Sequence, residues 1–236
     1  MHSSVSVVIP MYNEEEYVDR TLAAVRGALG RAGIEHEVVL VDDASTDRTG
    51  AMADAAAAAD PLVRVVHNPR NLTLGGSLRA GFAAATKDLI LYTDADLPFD
   101  FEEIPRAVRL LDLLEADFVS AYRFDRTAEG TRRALYTWGY SVIIRALFGL
   151  RHRDINFACK LFRRSLLQRF PLKSEGSFID AELLVRAGAA GAQVIQIGVD
   201  YFPRTRGVSK LASGQVILRI LKELGSLWRE LRTARP

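Results

Sequence analysis

The fold is decided by the stretch Leu89-Ile90-Leu91-Tyr92-Thr93-Asp94-Ala95-Asp96, in which an apolar strand leads directly into two carboxylates. Side chains at positions i and i+2 of an extended segment point to the same side, so the carboxylates of Asp94 and Asp96 can converge at the strand end. Two close carboxylates repel each other, and a divalent cation relieves that repulsion. Oxygen ligands suit Mg²⁺ or Mn²⁺, so the pattern predicts a metal site here. The alternative is a solvated acidic loop.

Three further apolar strands precede this stretch, and helical patterns separate them. Val18, Leu22, Val25 and Leu29 are spaced to form one apolar face of a helix. The patterns predict strands at 5–9, 37–41, 63–67 and 89–93, helices at 14–32 and 75–85, and a helix N-cap within 45–47. Strands that are apolar throughout, with helices between them, indicate an α/β fold with a Rossmann-like, mostly parallel sheet covered on both faces.

Ligands of such sheets bind beyond the carboxyl ends of the strands. This rule places the segments 10–13, 42–47 and 94–96 on one rim. One aspartate of the Asp42-Asp43 pair could accept an N–H from the edge of a nucleotide base. Another could help to cap the helix that follows. Helix capping alone would explain Ser45 or Asp47, but it would not explain why Asp42 and Asp43 are adjacent.

The second half of the chain is less regular. Its patterns predict helices at 101–116, 131–150 and 214–232, and strands at 118–121 and 194–199. We find no repeat and no low-complexity linker, so we expect one domain over residues 1–236.

Composition and charge limit the classes of protein and partner. Of the 236 residues 49% are hydrophobic and 25% are charged, which is typical of a globular protein. A net charge of +2 does not favour a nucleic-acid partner. The single Cys159 lies in an apolar run, where we expect a small buried hydrophobe rather than a nucleophile. Without a secretory signal or an apolar window long enough to span a membrane, we expect a cytoplasmic protein, soluble or peripheral on the cytoplasmic membrane face.

Three motifs carry a resemblance to a known family. The segments 8–14 (VIPMYNE), 41–47 (VDDASTD) and 94–96 (DAD) resemble the successive signatures of glycosyltransferase family 2, in that family's order and spacing. The resemblance covers nearly the whole chain and implies a GT-A fold and an inverting transferase. It implies that Asp94 and Asp96 hold a metal ion with the donor diphosphate. The residues implied for nucleotide-sugar binding are Pro10, Tyr12, Glu14, Asp43, Arg79 and Asp94.

Within that family the chain is most similar to dolichyl- and polyprenyl-phosphate sugar synthases. The segments 92–97, 71–81 and 201–210 are similar to their metal motif, their Gly-rich loop and their basic end motif. The implied reaction moves a hexose from a nucleotide-sugar to polyprenyl phosphate, with Mg²⁺ or Mn²⁺. The residues implied for the acceptor phosphate are Arg123, Arg204, Arg206, Ser209 and Lys210, and those implied for catalysis are Asp96, Asp154 and Arg206. Many relatives carry a polar residue where Pro98 follows Leu97, which leaves the third metal ligand open.

Several of these residues have simpler interpretations. The segment 201–210 also fits an ordinary basic turn before a helix, and Asp154 also fits a loop cap. Asp180 and Glu182 lie where other family members place a catalytic base. A phosphate monoester has a second pKa near 6 and is already an anionic nucleophile at neutral pH, so this acceptor needs no base.

The resemblance divides the chain into a nucleotide-sugar half (1–96), an acceptor half (97–209) and a C-terminal amphipathic helix (210–236). The helices predicted at 131–150 and 214–232 are amphipathic and basic, which is typical of interfacial helices, and packing on the core or in a dimer is the alternative. Their basic residues, Arg132, Arg133, Arg229 and Arg232, suit anionic head groups.

The same sequence features bear on three rival functions. A family 2 transferase for a soluble acceptor and a non-catalytic nucleotide-binding module remain alternatives. A nucleotidyltransferase is disfavoured, because no Gly-rich loop with a lysine follows the first strand. The sugar, the base and the oligomeric state stay open.

Overall fold

The computed structural model describes residues 3–125, 131–202 and 214–233. The strands are β1 (Val5–Met11), β2 (His36–Asp42), β3 (Val63–His67), β4 (Leu89–Thr93), β5 (Phe118–Arg123), β6 (Cys159–Arg163) and β7 (Val194–Val199). The helices are α1 (Val18–Arg31), α2 (Thr49–Ala59), α3 (Thr73–Ala84), α4 (Glu103–Leu113), α5 (Thr131–Phe148), α6 (Ile179–Ala189) and α7 (Gly214–Thr233).

Seven strands form one sheet in the order β3-β2-β1-β4-β6-β5-β7. The first four strands are parallel to one another, and β5 is parallel to β7. Only β6 runs antiparallel, between β4 and β5, among the strands described. The predicted mostly parallel sheet is therefore confirmed.

Helices cover both faces of the sheet because the strand side chains alternate between two apolar clusters. Val5, Val7 and Ile9 of β1 pack with α1 and α4, whereas Val8 packs with α3 and α6. The predicted apolar face of α1 is confirmed, since its four aliphatic residues are buried in the first cluster. Each strand is thus covered by helices on both faces of the sheet. Its sequence is continuously apolar because both faces are buried.

Some predicted boundaries were wrong. Helix α1 begins at Val18 rather than at 14, and α4 is shorter than 101–116 at both ends. The N-cap of α2 is Arg48, one residue after the predicted segment 45–47, although the Asp47 carboxylate accepts the amide of Thr49 at 2.9 Å. Strand β6 and helix α6 were not predicted.

Cys159 is a free, buried thiol, as expected, and burial raises its pKa to about 12.

The two amphipathic helices differ in what their apolar side chains contact. On α7, Leu224 and Leu227 are buried in the second core cluster, so the packing alternative is confirmed for this helix. On α5, apolar side chains remain exposed, with Trp138 66% exposed. The other exposed apolar residues of α5 are Val142, Ile143 and Leu147. No helix in the described ranges has the length and apolar character needed to cross a membrane.

The contact between α3 and the sheet yields a test of the packing. A Cβ at Gly81 would lie 2.4 Å from a methyl carbon of Val8, whereas a Cβ at the helical Gly30 would meet nothing within 4 Å. We expect Gly81→Ala to destabilise the fold by about 1–3 kcal/mol through overpacking. We expect Gly30→Ala to stabilise it by about 0.5–1 kcal/mol through helix propensity. Urea unfolding of both variants measures the difference, and equal effects would contradict this packing.

Candidate active site

The ends of β1, β2 and β4 form one rim of the sheet. Strands β1 and β2 end level, because Met11 pairs with Asp42 in the parallel register. Asp42 in turn pairs with His67 at the end of β3. The three predicted loop segments therefore lie on the same edge, as the parallel topology requires.

The loops after β1 and β2 are tied to each other by side-chain hydrogen bonds. The Asn13 side-chain carbonyl accepts the amide of Thr46 at 2.8 Å, and the amide of Asn13 donates to the Ser45 hydroxyl at 3.0 Å. Asn13 takes a left-handed backbone conformation, with φ of 57°, to make this exchange. The amide of Glu14 donates to the Thr49 hydroxyl at 2.9 Å. These bonds hold the first two motifs as one unit.

The adjacent aspartates of the second motif have different surroundings. Asp42 accepts the amide of Ser45 at 3.0 Å and contacts a ring nitrogen of His67 at 3.0 Å. Burial alone raises the pKa of Asp42, but the bonds from Ser45 and His67 outweigh it and lower that pKa. Asp43 accepts the side-chain amide of Asn68 at 2.7 Å and the backbone amide of Leu72 at 2.8 Å. Asp42 thus stabilises the loop, and Asp43 joins it to the start of α3.

The third motif follows the end of β4, and its residues alternate in burial. Ala95 is buried, and its carbonyl accepts the buried hydroxyl of Thr21 in α1. Asp94 and Asp96 are half-buried and flank Ala95 in the chain. The convergence of their two carboxylates stays a prediction. Leu97 then adopts a φ of 55°, a conformation that non-glycine residues rarely take, and it redirects the chain after the second carboxylate.

The electrostatics of this motif suit a divalent cation. Burial raises the pKa of the Tyr92 hydroxyl well above its usual value, and the charges of Asp180, Asp94 and Asp96 raise it further. Within the described ranges no three His, Cys, Asp or Glu side chains converge on a common metal position. The two half-buried carboxylates fit Mg²⁺ or Mn²⁺ when a ligand diphosphate supplies further oxygens.

The start of the basic end motif lies beside the acidic loop. Phe99 forms an isolated antiparallel bridge with Tyr201, and the amide of Phe202 donates to the carbonyl of Pro98 at 3.0 Å. The continuation of that motif, with Arg204, Arg206, Ser209 and Lys210, lies outside the described residues. Their predicted binding roles therefore stay predictions.

Arg123 and Asp154 form a buried bidentate pair. The Arg123 Nε and Nη2 atoms donate to the two carboxylate oxygens of Asp154 at 2.6 and 2.7 Å. The guanidinium lies over the rings of Phe157 and Tyr201, 5.4 and 5.0 Å from their centroids. Asp154 has a φ of 49°, so the backbone is bent to present this carboxylate. The structure joins two residues whose predicted roles were separate, and those roles stay predictions.

Asp180 and Glu182, at the position of the family's catalytic base, form ion pairs inside the protein. Asp180 lies 2.9 Å from the ammonium of Lys160, and both side chains are buried. Burial raises the pKa of Asp180, the Lys160 charge lowers it, and the net direction is upward. Glu182 binds Arg186 at 2.7 Å. Both carboxylates therefore have structural partners.

The remaining predicted donor residues surround the first motif and α3. Pro10 lies within β1, Tyr12 is 37% exposed on the rim, and Glu14 is half-buried beside it. Arg79 extends from α3, and its Nη1 donates to two loop carbonyls, those of Lys173 and Ser174, both at 2.7 Å. Binding of the donor by these residues stays a prediction.

Three residues near the site, Lys160, Asn68 and Ser77, were missed in the sequence. Lys160 interrupts an apolar strand, and such a charge is a signal that a buried partner exists. Asn68 and Ser77, which share a hydrogen bond of 3.1 Å next to Asp43, carry no comparable signal.

Comparison with known proteins agrees with this geometry. A family model described as "Glycosyl transferase family 2" matches residues 6–170. The chain is 30% identical to an undecaprenyl-phosphate mannosyltransferase of Micrococcus luteus, over 97% of each chain. It is also 30% identical to a polyprenol monophosphomannose synthase of Mycolicibacterium smegmatis, over 89% of this chain and 82% of the relative.

Solved structures share the fold. A glucosyl-3-phosphoglycerate synthase of Mycobacterium tuberculosis, in complex with Mn²⁺, UDP-glucose and phosphoglyceric acid, aligns with a TM-score of 0.71 and 22% identity, over 94% of this chain and 80% of that one. A mannosyl-3-phosphoglycerate synthase of Rubrobacter xylanophilus aligns with a TM-score of 0.75 and 19% identity, over 99% of this chain and 76% of that one. These likenesses confirm the predicted GT-A fold.

The buried Lys160–Asp180 pair generates a testable prediction. Lys160→Met leaves the Asp180 charge buried without its partner, so we expect a loss of about 3–5 kcal/mol in the free energy of unfolding. The double variant Lys160→Met/Asp180→Leu removes both charges, and we expect it to recover most of that loss. Denaturant unfolding measures the free energy of unfolding of the wild type, the single variant and the double variant. A double variant as unstable as the single one would contradict the structural pairing.

Proposed function

The chain belongs to glycosyltransferase family 2 and is a glycosyltransferase, and on this premise we propose that it transfers a hexose to polyprenyl phosphate. The donor is a nucleotide-sugar of the GDP-mannose or UDP-glucose type, and the anomeric carbon is inverted. The observation that carries this proposal is the pairing of Phe99 with Tyr201. That bridge brings the origin of the basic end motif next to the acidic loop.

The proposed donor site spans the rim of the sheet. Asp94 and Asp96 would hold Mg²⁺ or Mn²⁺ together with the donor diphosphate, and a bound divalent ion neutralises charge that develops on the departing diphosphate. The nucleotide would contact Asp43 at the end of β2. The other residues proposed for the donor are Pro10, Tyr12, Glu14 and Arg79. This assignment places the donor on residues 1–96 and leaves 97–209 for the acceptor.

The surroundings of Asp180 support a phosphate acceptor. A hydroxyl acceptor needs a general base, whereas a phosphate monoester is already anionic at neutral pH. Asp180 is buried and paired with Lys160, so it is poorly placed to take a proton from an acceptor. The acceptor phosphate would instead be bound by cations and one hydroxyl. The cations are Arg123, held by Asp154, together with Arg204, Arg206 and Lys210, and the hydroxyl is that of Ser209. Asp154 would act by orienting Arg123.

The exposed face of α5 supports contact with a membrane, where a polyprenyl phosphate resides. Trp138 and Val142 are one helical turn apart and both exposed, and the exposed Arg145 lies on the same helix. An aromatic and aliphatic face with nearby cations is typical of helices that lie in the bilayer interface. We assign the contact to α5, because the described leucines of α7 pack into the core.

The proposed metal site is tested by Asp96→Asn, which removes a carboxylate charge at nearly constant volume. We expect transfer to fall by about a hundredfold or more, with an unchanged melting temperature. EDTA should have the same effect on the wild type, and added Mn²⁺ or Mg²⁺ should reverse it. The matched control is Asp100→Asn, the same change at an exposed aspartate in the next turn. Full transfer by the wild type in excess EDTA would contradict the metal assignment.

The proposed acceptor is tested with vesicles that contain anionic lipid and polyprenyl phosphate. We expect the wild type to co-sediment with them, less so at high salt because screening weakens charge contacts. Trp138→Ser with Val142→Ser should reduce this binding severalfold, because each change removes buried apolar area at the interface. The matched control is Leu113→Ser, at a leucine that is 77% exposed on α4. Vesicle-independent transfer to a water-soluble acceptor would favour the soluble-acceptor transferase instead.

A further inference from the structure

A loop segment of four residues, Lys173–Gly176, bridges helices from distant parts of the chain, and we call it the strap. Its backbone N–H groups bind carboxylates of α6 and α7, and the carbonyl groups of its first three residues bind α3. The strap therefore connects the terminal helix with the helix that begins next to Asp43.

Two glutamates hold the N–H side of the strap. The carboxylate of Glu182 in α6 accepts its first two amides, with the shortest bond at 2.7 Å. The Oε1 atom of Glu223 in α7 accepts its last two amides, at 2.9 and 3.4 Å. Hydrogen bonds from backbone N–H groups to a carboxylate are stronger than neutral ones. Four successive amides are thus fixed by two charged side chains.

The carbonyl side of the strap caps helix α3. The carbonyl of Glu175 accepts the amides of Gly75 and Gly76, at 2.7 and 3.3 Å, and the hydroxyl of Thr73. Amides in the first turn of a helix have no partner inside the helix, and no side chain at the N-cap position of α3 supplies one. Arg79 adds two bonds to neighbouring strap carbonyls. The start of α3 is therefore positioned by the strap.

The strap and the start of α3 lie close together, and the start of α3 is bonded to Asp43 on the rim. A Cβ on Gly75 would lie 2.2 Å from the carbonyl oxygen of Ser174, so a glycine is required for the approach. The amide of Leu72, just before α3, donates to the Asp43 carboxylate at 2.8 Å. Hydrogen bonds thus run from Glu223 through the strap and the first turn of α3 to Asp43.

Helix α7 is anchored independently of Glu223. Leu224 and Leu227 are buried in the core, and Glu230 accepts both Nη atoms of Arg186 at 3.0 and 3.1 Å. Loss of the Glu223 carboxylate would therefore release the strap without removing α7 from the protein.

We propose that Glu223 is a positioning residue for the donor, and that the nucleotide pocket is thermodynamically coupled to helix α7 through the strap. The proposal rests on the proposed function, since it takes Asp43 as a contact of the donor nucleotide. Coupling between two sites is reciprocal. Nucleotide binding should therefore strengthen the contact between the strap and α7, and loss of that contact should weaken nucleotide binding.

The variant test uses the full-length protein with UDP and GDP, each with Mn²⁺, in titration calorimetry. We expect Glu223→Ala to weaken binding of the accepted nucleotide by about fivefold to tenfold, and to raise the donor KM with little change in kcat. Glu223→Gln should weaken binding less than Glu223→Ala, because it keeps an acceptor for the strap amides although it loses the charge that strengthens those bonds. The matched control on α7 is the exposed Lys222→Ala.

Hydrogen exchange on the wild type tests the coupling without a substitution. We expect bound nucleotide to slow exchange at the strap amides and at Gly75 and Gly76. If the wild type binds a nucleotide but Glu223→Ala binds it equally well, or if exchange at the strap is unaffected, the coupling is overturned. If the wild type binds neither UDP nor GDP, the proposed function itself fails.

Discussion

Parallel pairing of β1 with β2 and β4 is the constraint on which the site depends. It brings the carboxyl ends of three strands to one edge, and each end carries acidic or loop-forming residues. The resulting negative charge must be matched by hydrogen bonds, cations or both. Asp42 is matched by Ser45 and His67, and Asp43 by Asn68 and the start of α3. The pair after β4 is the one whose chemistry and position suit a divalent ion.

Buried ion pairs organise the second half of the chain. Arg123 with Asp154 and Lys160 with Asp180 lie in the interior, where separated charges would be costly. Such pairs hold side chains in one arrangement because both partners must stay together. The same principle extends to α7, where Glu230 engages the buried Arg186. The terminal helix is thereby integrated into the protein, and α5 remains the helix with an exposed apolar face.

Local patterns were sufficient for the first half of the fold and for the location of the rim. Continuous apolar strands and the 3.6-residue spacing in α1 predicted the parallel layer directly. Strand β6 was missed because Lys160 interrupts its apolar pattern and its pairing joins residues far apart in sequence. Helix α6 was missed because it is buried nearly all round, so no apolar stripe stands out. The role of α7 depended on contacts of Glu223 and Glu230 with distant segments, which periodicity cannot reveal.

The central claim is that the carboxylates after β4 hold a divalent ion with a nucleoside diphosphate. Crystals grown with Mn²⁺ and the accepted nucleoside diphosphate test it most directly, through the anomalous scattering of manganese. We expect a manganese peak about 2.1 Å from an oxygen of Asp96 and from diphosphate oxygens, at the edge formed by β1, β2 and β4. A bound nucleotide at that edge with manganese absent, or located elsewhere on the molecule, would contradict it.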